Sequence, residues 1–564
     1  MLLDTVLASD SLTKNNIVAS KALLKNTQNS YVTENYLDGE LLVNKGVSVS
    51  DFSHDKELTY AKVPLGIILR GVVVVKLDNG GVKSLQPGDF IGLFETSDWI
   101  INNQTRNVGD WSLFASGEVE ILFFKEGLLA SKTEDASEFR DYVVSLARAD
   151  SVPKSLSKLP LLDWVANHTT RERLSDCAVI VHTHVLPTSI TLFRHLAHLA
   201  GIKNVFLVDK SYSTVRESLN EMLRGGIEVL PVFVEKSVPY ESSQKKAVDF
   251  MWRRFIEAHK KVKFKKLVIV DDGADVLLTI PWQDLEGVEV VGVEQTQRGI
   301  TRMNGSSIKI PPVVAVASSG IKKIVESPFI GSAVVEKLNS IGVLDGDVIV
   351  GVIGAGSIGI AVMNALQKKG KNYIFYDISE TISRNNEKLR SSVDTLVQES
   401  DIVIGTTGID SIRGVVLDRV RGKKVFVSAS SSDVEFRSIL QQTDVPENPF
   451  GEIEVKVHDA LKITVLNGGY PINFDRQKEW ESPGNIVLTR CLLYIGVMQS
   501  LQIFGDKNQE DKAGFYALDK VSQTKLLEEW LQNKGVEAPK LNVEDVINST
   551  FLEKAKEIDT VWTD

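Results

Sequence analysis

Between residues 177 and 408 the chain repeatedly sets a short, unbroken apolar run against a longer stretch in which apolar residues recur every three or four positions. The runs are CAVIVHTHV (177–185), NVFLVD (204–209), EVLPVFVE (228–235), KLVIVDDGADV (266–276), VIVGVIG (348–354), NYIFYD (372–377) and DIVIGTTG (401–408). Runs of this kind predict strands buried on both faces, as in a parallel sheet. SITLFRHLAHLAG (189–201) and STVRESLNEMLRGG (213–226) predict crossover helices between them. The first 150 residues read differently. LGIILRGVVVVKLDNGGVKSLQPGDFIGLFE (65–95) places β-branched runs around DNGG and QPGD, both turn signals. GEVEILFF (117–124) reads as another strand and EDASEFRDYVVSLARA (134–149) as a closing amphipathic helix. The expected architecture is α/β: two Rossmann-like parallel-sheet domains behind an N-terminal β-roll. The boundaries fall at 1–150 for the β-roll, 151–330 for the first α/β domain (completed by about 480–510), 331–479 for the second, and 511–564 for a helical C-terminal segment.

Length and charge narrow the function. At 564 residues the chain is too long for one core, and its formal net charge of −10 makes nucleic acid an unexpected partner. The basic stretch HKKVKFKK (259–266) reads as a solvated helix end running into a strand. Cys177 and Cys491 are the two cysteines, far apart in sequence, so neither a disulfide framework nor a cysteine metal site is expected. No metal is expected elsewhere; His54 stands alone in the β-rich segment. No unbroken apolar run reaches about 18 residues, so no membrane span is expected, and MLLDTVLASDSLTKNN lacks the layout of a secretory signal. A cytoplasmic protein is expected, a homo-oligomer with a small-molecule substrate or ligand.

The candidate chemistry centres on DVIVGVIGAGSIGIAVM (347–363). Gly354, Gly356 and Gly359 follow a buried strand in G-x-G-x-x-G spacing, and Ser357 and Ile358 open the helix. The first glycine allows the tight turn, the second lets backbone approach a pyrophosphate, and the third lets helix pack on strand. The helix N-terminus then faces the phosphates. Asp377 ends the next strand, where a carboxylate accepts from a ribose 2′-hydroxyl and repels a 2′-phosphate. NAD is the expected cofactor. Thr406, Thr407 and Gly408 follow a later strand and belong at the same sheet edge.

The order of motifs from about 155 to 505 resembles S-adenosylhomocysteine hydrolases. DDGAD (271–275) resembles that family's Asp-Asp-Gly-Gly-Asp turn and VEQTQRG (293–299) its Glu-Glu-Thr-Thr-Thr-Gly loop. VHTHVLPTSITLFRHL resembles its histidine-bearing strand; TTG, DVE (433–435) and NGGYPINF (467–474) follow in order. The resemblance implies a bound NAD that is reduced and reoxidised within one turnover. It implies His184, Asp272 and Gln295 as catalytic-site residues, Ser213, Thr214, Thr296 and Arg298 as substrate contacts, and Asn473 beside the nicotinamide. Residues 40–130 resemble a cyclic-nucleotide-binding or cupin-like β-roll, in ILRGVVVV and LQPGDFIG, without that family's phosphate-gripping arginine.

The chain departs from the hydrolase pattern where the chemistry is done. Gln295 replaces a glutamate, and Ile321 and Val325 align with a lysine and an aspartate, with Lys322, Lys323 and Glu326 as nearby substitutes. Ser431 and Ser482 replace two histidines, and EIDTVWTD replaces the family's tail. Two readings follow. One is an NAD-using enzyme with a remodelled site, acting on a nucleoside-like or thioether molecule rather than on S-adenosylhomocysteine. The other is a non-catalytic relative in which NAD is structural or sensed and the N-terminal domain carries partner contacts.

Overall fold

The computed structural model describes residues 31–36, 41–43, 65–77, 82–85, 90–91 and 111–124, and most of 159–563. Within 159–563 it leaves out 170–175, 202–203, 216–217, 219–221, 223–227, 231–239, 380–385, 442–449, 477, 505–513, 538, 550–554 and 557–559. The chain divides into two compact units, residues 1–154 with 229–231, and residues 155–228 with 232–564.

In the first unit the strands are β1 (Tyr31–Tyr36), β2 (Leu41–Val43), β3 (Gly66–Leu77), β4 (Val82–Leu85), β5 (Phe90–Ile91) and β6 (Trp111–Phe124). All described pairings are antiparallel: β6 pairs with β1, β2 and β3, and β3 pairs with β4 and β5. Ile68, Val73, Val119 and Ile121 are buried along the two long strands. The expected DNGG and QPGD turns, the closing helix at 134–149 and His54 lie outside the described residues.

The second unit holds two mostly parallel sheets flanked by helices, an α/β, Rossmann-like architecture. Its elements open with α1 (Pro160–Asn167), β7 (Cys177–Thr183), α2 (Ser189–Ala200) and β8 (Val205–Asp209); the short strand β9 (Glu228–Leu230) straddles the division, which assigns Val229 and Leu230 to the first unit. They continue with α3 (Tyr240–Val262), β10 (Lys266–Asp271), β11 (Glu289–Glu294), α4 (Gln297–Asn304) and β12 (Pro312–Ala315). Across one sheet the order runs β19 (Gly514–Tyr516), β12, β11, β10, β7, β8, with every described pairing parallel. β7 is buried along its whole length, as its unbroken apolar run requires. α3 buries Tyr240, Gln244, Ala247, Val248, Met251 and Phe255, an i, i+3, i+4 stripe. The C-terminal segment, expected to be helical, also supplies the edge strand β19.

A π-helical turn (Ile321–Glu326) and α5 (Ser327–Ser340) lead into the second sheet. Its strands are β13 (Ile349–Ile353), β14 (Asn372–Tyr376), β15 (Ile402–Gly405), β16 (Gly422–Ser428), β17 (Ile453–His458) and β18 (Leu461–Val465). The order is β14-β13-β15-β16-β18-β17, parallel except for β17. α5 and α6 (Ser357–Lys368) pack Val334, Val335, Leu338, Val362 and Leu366 onto Val350 and Val352 of β13. α7 (Pro483–Ile503) returns the chain to the first sheet. By length and composition alone it is apolar enough to cross a membrane, but 83% of its most apolar window is buried inside the fold, as expected of a core helix.

Candidate functional site

The glycine fingerprint closes the gap between β13 and α6. Gly354 has φ +99°, a value open to glycine, and its N–H donates to Tyr376 O at 2.8 Å. A Cβ on Gly359 would stand 1.9 Å from Gly354 O, whereas one on Gly356 would meet nothing within 4 Å. The third glycine is therefore required by the fold, while the second faces open space. Gly356 caps α6 without any side-chain acceptor, so the N–H groups of the first turn point outward unpaired by a cap. Ser357 and Ile358 sit in that turn, both half-buried.

Asp377 braces this turn. Its Oδ2 accepts from Ala355 N at 2.6 Å and its Oδ1 from Ser379 N at 2.7 Å. Ile378 beside it and Ile409 beyond Gly408 are 88% and 67% exposed, apolar faces that would suit an adenine ring. Thr406 Oγ1 lies 2.9 Å from Ile353 O and 3.0 Å from Gly354 O. Thr407 Oγ1 donates to Glu435 Oε2 at 2.9 Å, and Gly408 N donates to Glu435 Oε1 at 2.5 Å. Glu435, fully buried, thus fixes the Thr-Thr-Gly loop, a role not visible in its DVE motif. Burial pushes its carboxyl above the usual range, against the hydrogen bonds from Ser430, Gly408, Thr407 and Ser411. An uncapped helix start, an open glycine and a carboxylate at the end of β14 fit a dinucleotide.

The second constellation lies at the carboxyl edge of the first sheet. Strands β8, β7, β10 and β11 are neighbours in space, ending at Asp209, Thr183, Asp271 and Glu294. The residues that follow are Lys210, His184, Asp272 and Gln295, and their side chains converge. Lys210 Nζ lies 2.5 Å from Asp272 Oδ1. Gln295 Nε2 donates to Asp272 Oδ2, and to Thr183 Oγ1 at 3.1 Å. His184 Nε2 stands 3.4 Å from the same Asp272 Oδ2. Lys210, unremarked in the sequence reading, is thus as central as the other three; only its place after an apolar strand signalled it.

The charges follow from this packing. Burial would raise the Asp272 carboxyl, but the ammonium of Lys210 outweighs it, helped by His184, and holds it well below the carboxylate range. Burial would lower Lys210, and Asp272 outweighs that in turn, holding the ammonium protonated. His184 is pushed down to about 3, first by burial and then by Lys210, Arg490 and His182, against the pull of Asp272. It is neutral near pH 7. Ser213 Oγ donates to Lys210 O at 2.7 Å and lies 2.6 Å from His184 Nδ1. That hydroxyl has one proton for its two neighbours, and the roles of the two ring nitrogens follow from which of them takes it. The ring stacks on Phe474 at 4.2 Å and 15°.

The remaining expected residues have these neighbours. Thr214 Oγ1 donates to Asp209 Oδ2 at 2.6 Å. Thr296 caps α4 by accepting from Gly299 N, and itself donates to Glu294 at 2.7 Å. Arg298 pairs with Glu241 at 3.3 Å, and Arg437 from the second sheet's side reaches the same carboxylate at 3.1 Å. Asn473 Nδ2 donates to Glu481 Oε1 at 3.2 Å. Ile321 and Val325 are buried, while Lys322 pairs with Glu326 at 2.8 Å and Thr489 donates to Glu326 at 2.5 Å. Lys323 also lies on the π-helical turn. Among the described residues no group of three or more His, Cys, Asp or Glu side chains could hold a metal ion.

Fold and fingerprint together define an NAD-binding α/β protein with a dehydrogenase-type Rossmann module. Residues 336–411 match the family model described as D-isomer specific 2-hydroxyacid dehydrogenase, NAD binding domain. That stretch contains Gly354, Gly356, Gly359, Asp377 and the Thr406–Gly408 loop, and NAD(H) is the cofactor of the module. The matching model is that of a dehydrogenase domain, not of S-adenosylhomocysteine hydrolases. The chain is 26% identical over 362 residues, 63% of its length, to an uncharacterized protein of Mycobacterium tuberculosis, covering 70% of that protein in each of two strains. A solved structure titled "Sp-2Cl-cAMPS bound to PKAR CBD2" matches 27% of this chain and 82% of its own, at 14% identity and TM-score 0.17.

Proposed function

We propose that this chain is an NAD-dependent enzyme built on the plan of S-adenosylhomocysteine hydrolases, with a remodelled site that acts on a nucleoside-like or thioether small molecule. The observation that carries the reading is the convergence of His184 and Asp272, from separate strand ends, beneath Phe474. Phe474 adjoins Asn473, which the resemblance places beside the nicotinamide. NAD bound at the fingerprint supplies a hydride acceptor. His184, neutral near pH 7, and the ionised Asp272 are the pair placed for proton work in the site. Asp272, held ionised by Lys210, raises the basicity of the imidazole beside it, against the burial that lowers it.

Ordinary hydrolysis of S-adenosylhomocysteine is not the reaction we propose. Gln295 carries no charge, Ile321 and Val325 are buried apolar side chains, and Ser431 and Ser482 stand for histidines. A second reading, a non-catalytic relative with structural or sensory NAD and an N-terminal domain for partner contacts, draws on one observation. Both Asp272 oxygens are already hydrogen-bonded within the chain. The NAD-loaded protein, mixed with a panel of nucleosides and thioethers, separates the two through absorbance at the reduced-nicotinamide band. Reduction by a panel member, lost in His184→Gln, supports the enzyme. Retained NAD with no reduction by any member supports the second reading. Efficient thiol release from S-adenosylhomocysteine would contradict both.

A further inference from the structure

Two groups of the cluster have hydrogen-bonding capacity that no described residue uses. Lys210 is 3% exposed and carries three N–H donors. Among the described residues its ammonium has one acceptor, Asp272 Oδ1. Gln295 is 6% exposed, and its amide orientation is fixed by its neighbours. An ionised carboxylate cannot donate, so Nε2 must be the atom facing Asp272. Among the described residues Oε1 is then left buried with no partner. A buried amide oxygen and a buried ammonium do not stay under-bonded without cost, and both flank the same carboxylate.

We propose that Lys210 and Gln295 select a neutral, hydroxyl-bearing ligand, with Lys210 donating to one of its oxygens and Gln295 Oε1 accepting from one of its hydroxyls. The inference rests on the reading of this cluster as the ligand site. Chemistry eliminates the alternatives. A carboxylate or phosphate would meet Asp272 and the negative end of the Gln295 amide, with Lys210 already neutralised. A cation would meet Lys210. A ketone, ether or thioether group satisfies Lys210 but has no proton for Gln295. An alcohol both donates and accepts, and a polyol does so at two points. A glutamate at position 295 could not approach Asp272 as Gln295 does, because two carboxylates would share one buried space. The amide therefore belongs with Lys210 and Asp272 as one set, in which the charge sits on the pair and the free acceptor is neutral.

Calorimetry on the full-length, NAD-loaded protein tests this with two probe pairs, adenosine against 2′,3′-dideoxyadenosine and inosine against 2′,3′-dideoxyinosine. Wild type is expected to favour a hydroxylated member by about tenfold or more, the value of one hydrogen bond to a charged donor. In Lys210→Met that preference should shrink to about threefold or less, with NAD affinity unchanged and part of the preference kept in Lys210→Arg. If Lys210→Met does not fold, Lys210→Met/Asp272→Asn removes both charges and is read in the same way. A preference that survives loss of the ammonium, or equal binding of both members by wild type, overturns the proposal and leaves the functional reading standing. Failure of all four probes to bind wild type overturns the nucleoside-like reading and this inference with it.

Discussion

The ammonium of Lys210 lies 2.5 Å from Asp272 Oδ1, with each side chain 4% exposed. The contact spans from the end of β8 to the end of β10 across β7, between residues 62 apart in sequence. Removing one partner strands the other as a buried charge, which costs about 3–5 kcal/mol. Lys210→Met should therefore be destabilising by about that amount in urea titrations. Lys210→Met/Asp272→Leu should recover most of it, because a buried ion pair adds little over apolar groups of similar volume. Equal losses in the single and double variants would show that the pair is not isolated electrostatically.

Glu481 should give the stability a slope opposite to that of an ordinary carboxylate. Burial raises it from 4.5 to about 7, aided by Glu479 and Glu326 and opposed by its own backbone N–H and Asn473. Between those values the folded chain keeps a proton that the unfolded chain has lost. The contribution is complete below about pH 4.5 and disappears as pH rises through about 7. Glu481→Gln keeps an acceptor for Asn473 but does not titrate. It should match wild type near pH 4.5 and exceed it above pH 7 by on the order of 2 kcal/mol. Denaturant midpoints across that range provide the comparison; parallel curves would mean that Glu481 ionises normally.

Gly356 and Gly359 should fail in different ways. Gly359→Ala places a methyl against Gly354 O at 1.9 Å, so the folded protein itself should lose stability, by about 1–3 kcal/mol or more. Gly356→Ala meets no protein atom within 4 Å and should leave the melting temperature of the NAD-free protein nearly unchanged. Its methyl would instead occupy the space of the incoming pyrophosphate, lowering NAD affinity by about tenfold or more. Melting curves with and without NAD distinguish the two; loss of both properties in Gly356→Ala would remove the assignment of that glycine.

Asp377→Ala should weaken NAD binding by about tenfold and lessen discrimination against NADP, since the carboxylate faces where a 2′-phosphate would sit. The variant also loses the acceptor for Ala355 N and Ser379 N, so Asp377→Asn, which keeps an acceptor oxygen, is the sharper comparison. Titration of both cofactors measures it. Unaltered discrimination in both variants would place the 2′-position elsewhere.

The sequence by itself determined what depends on neighbours along the chain. Unbroken apolar runs became parallel strands because both faces of such strands are covered, and the G-x-G-x-x-G spacing became a turn because Gly354 and Gly359 alone fit φ +99° and a 1.9 Å approach. The position of Asp377, just past the end of β14, was legible because a strand end follows the glycines at a fixed spacing. Strand order was not legible, and with it went everything that acts across strands. Only the tertiary structure brought Lys210 to Asp272, turned Gln295 Nε2 towards a carboxylate, set Glu435 behind the Thr-Thr-Gly loop and gave Arg298 and Arg437 the same partner in Glu241. Hydrophobic period encodes which face of a segment is buried. It carries no information about which segment lies alongside, and a buried charge is defined by its neighbour.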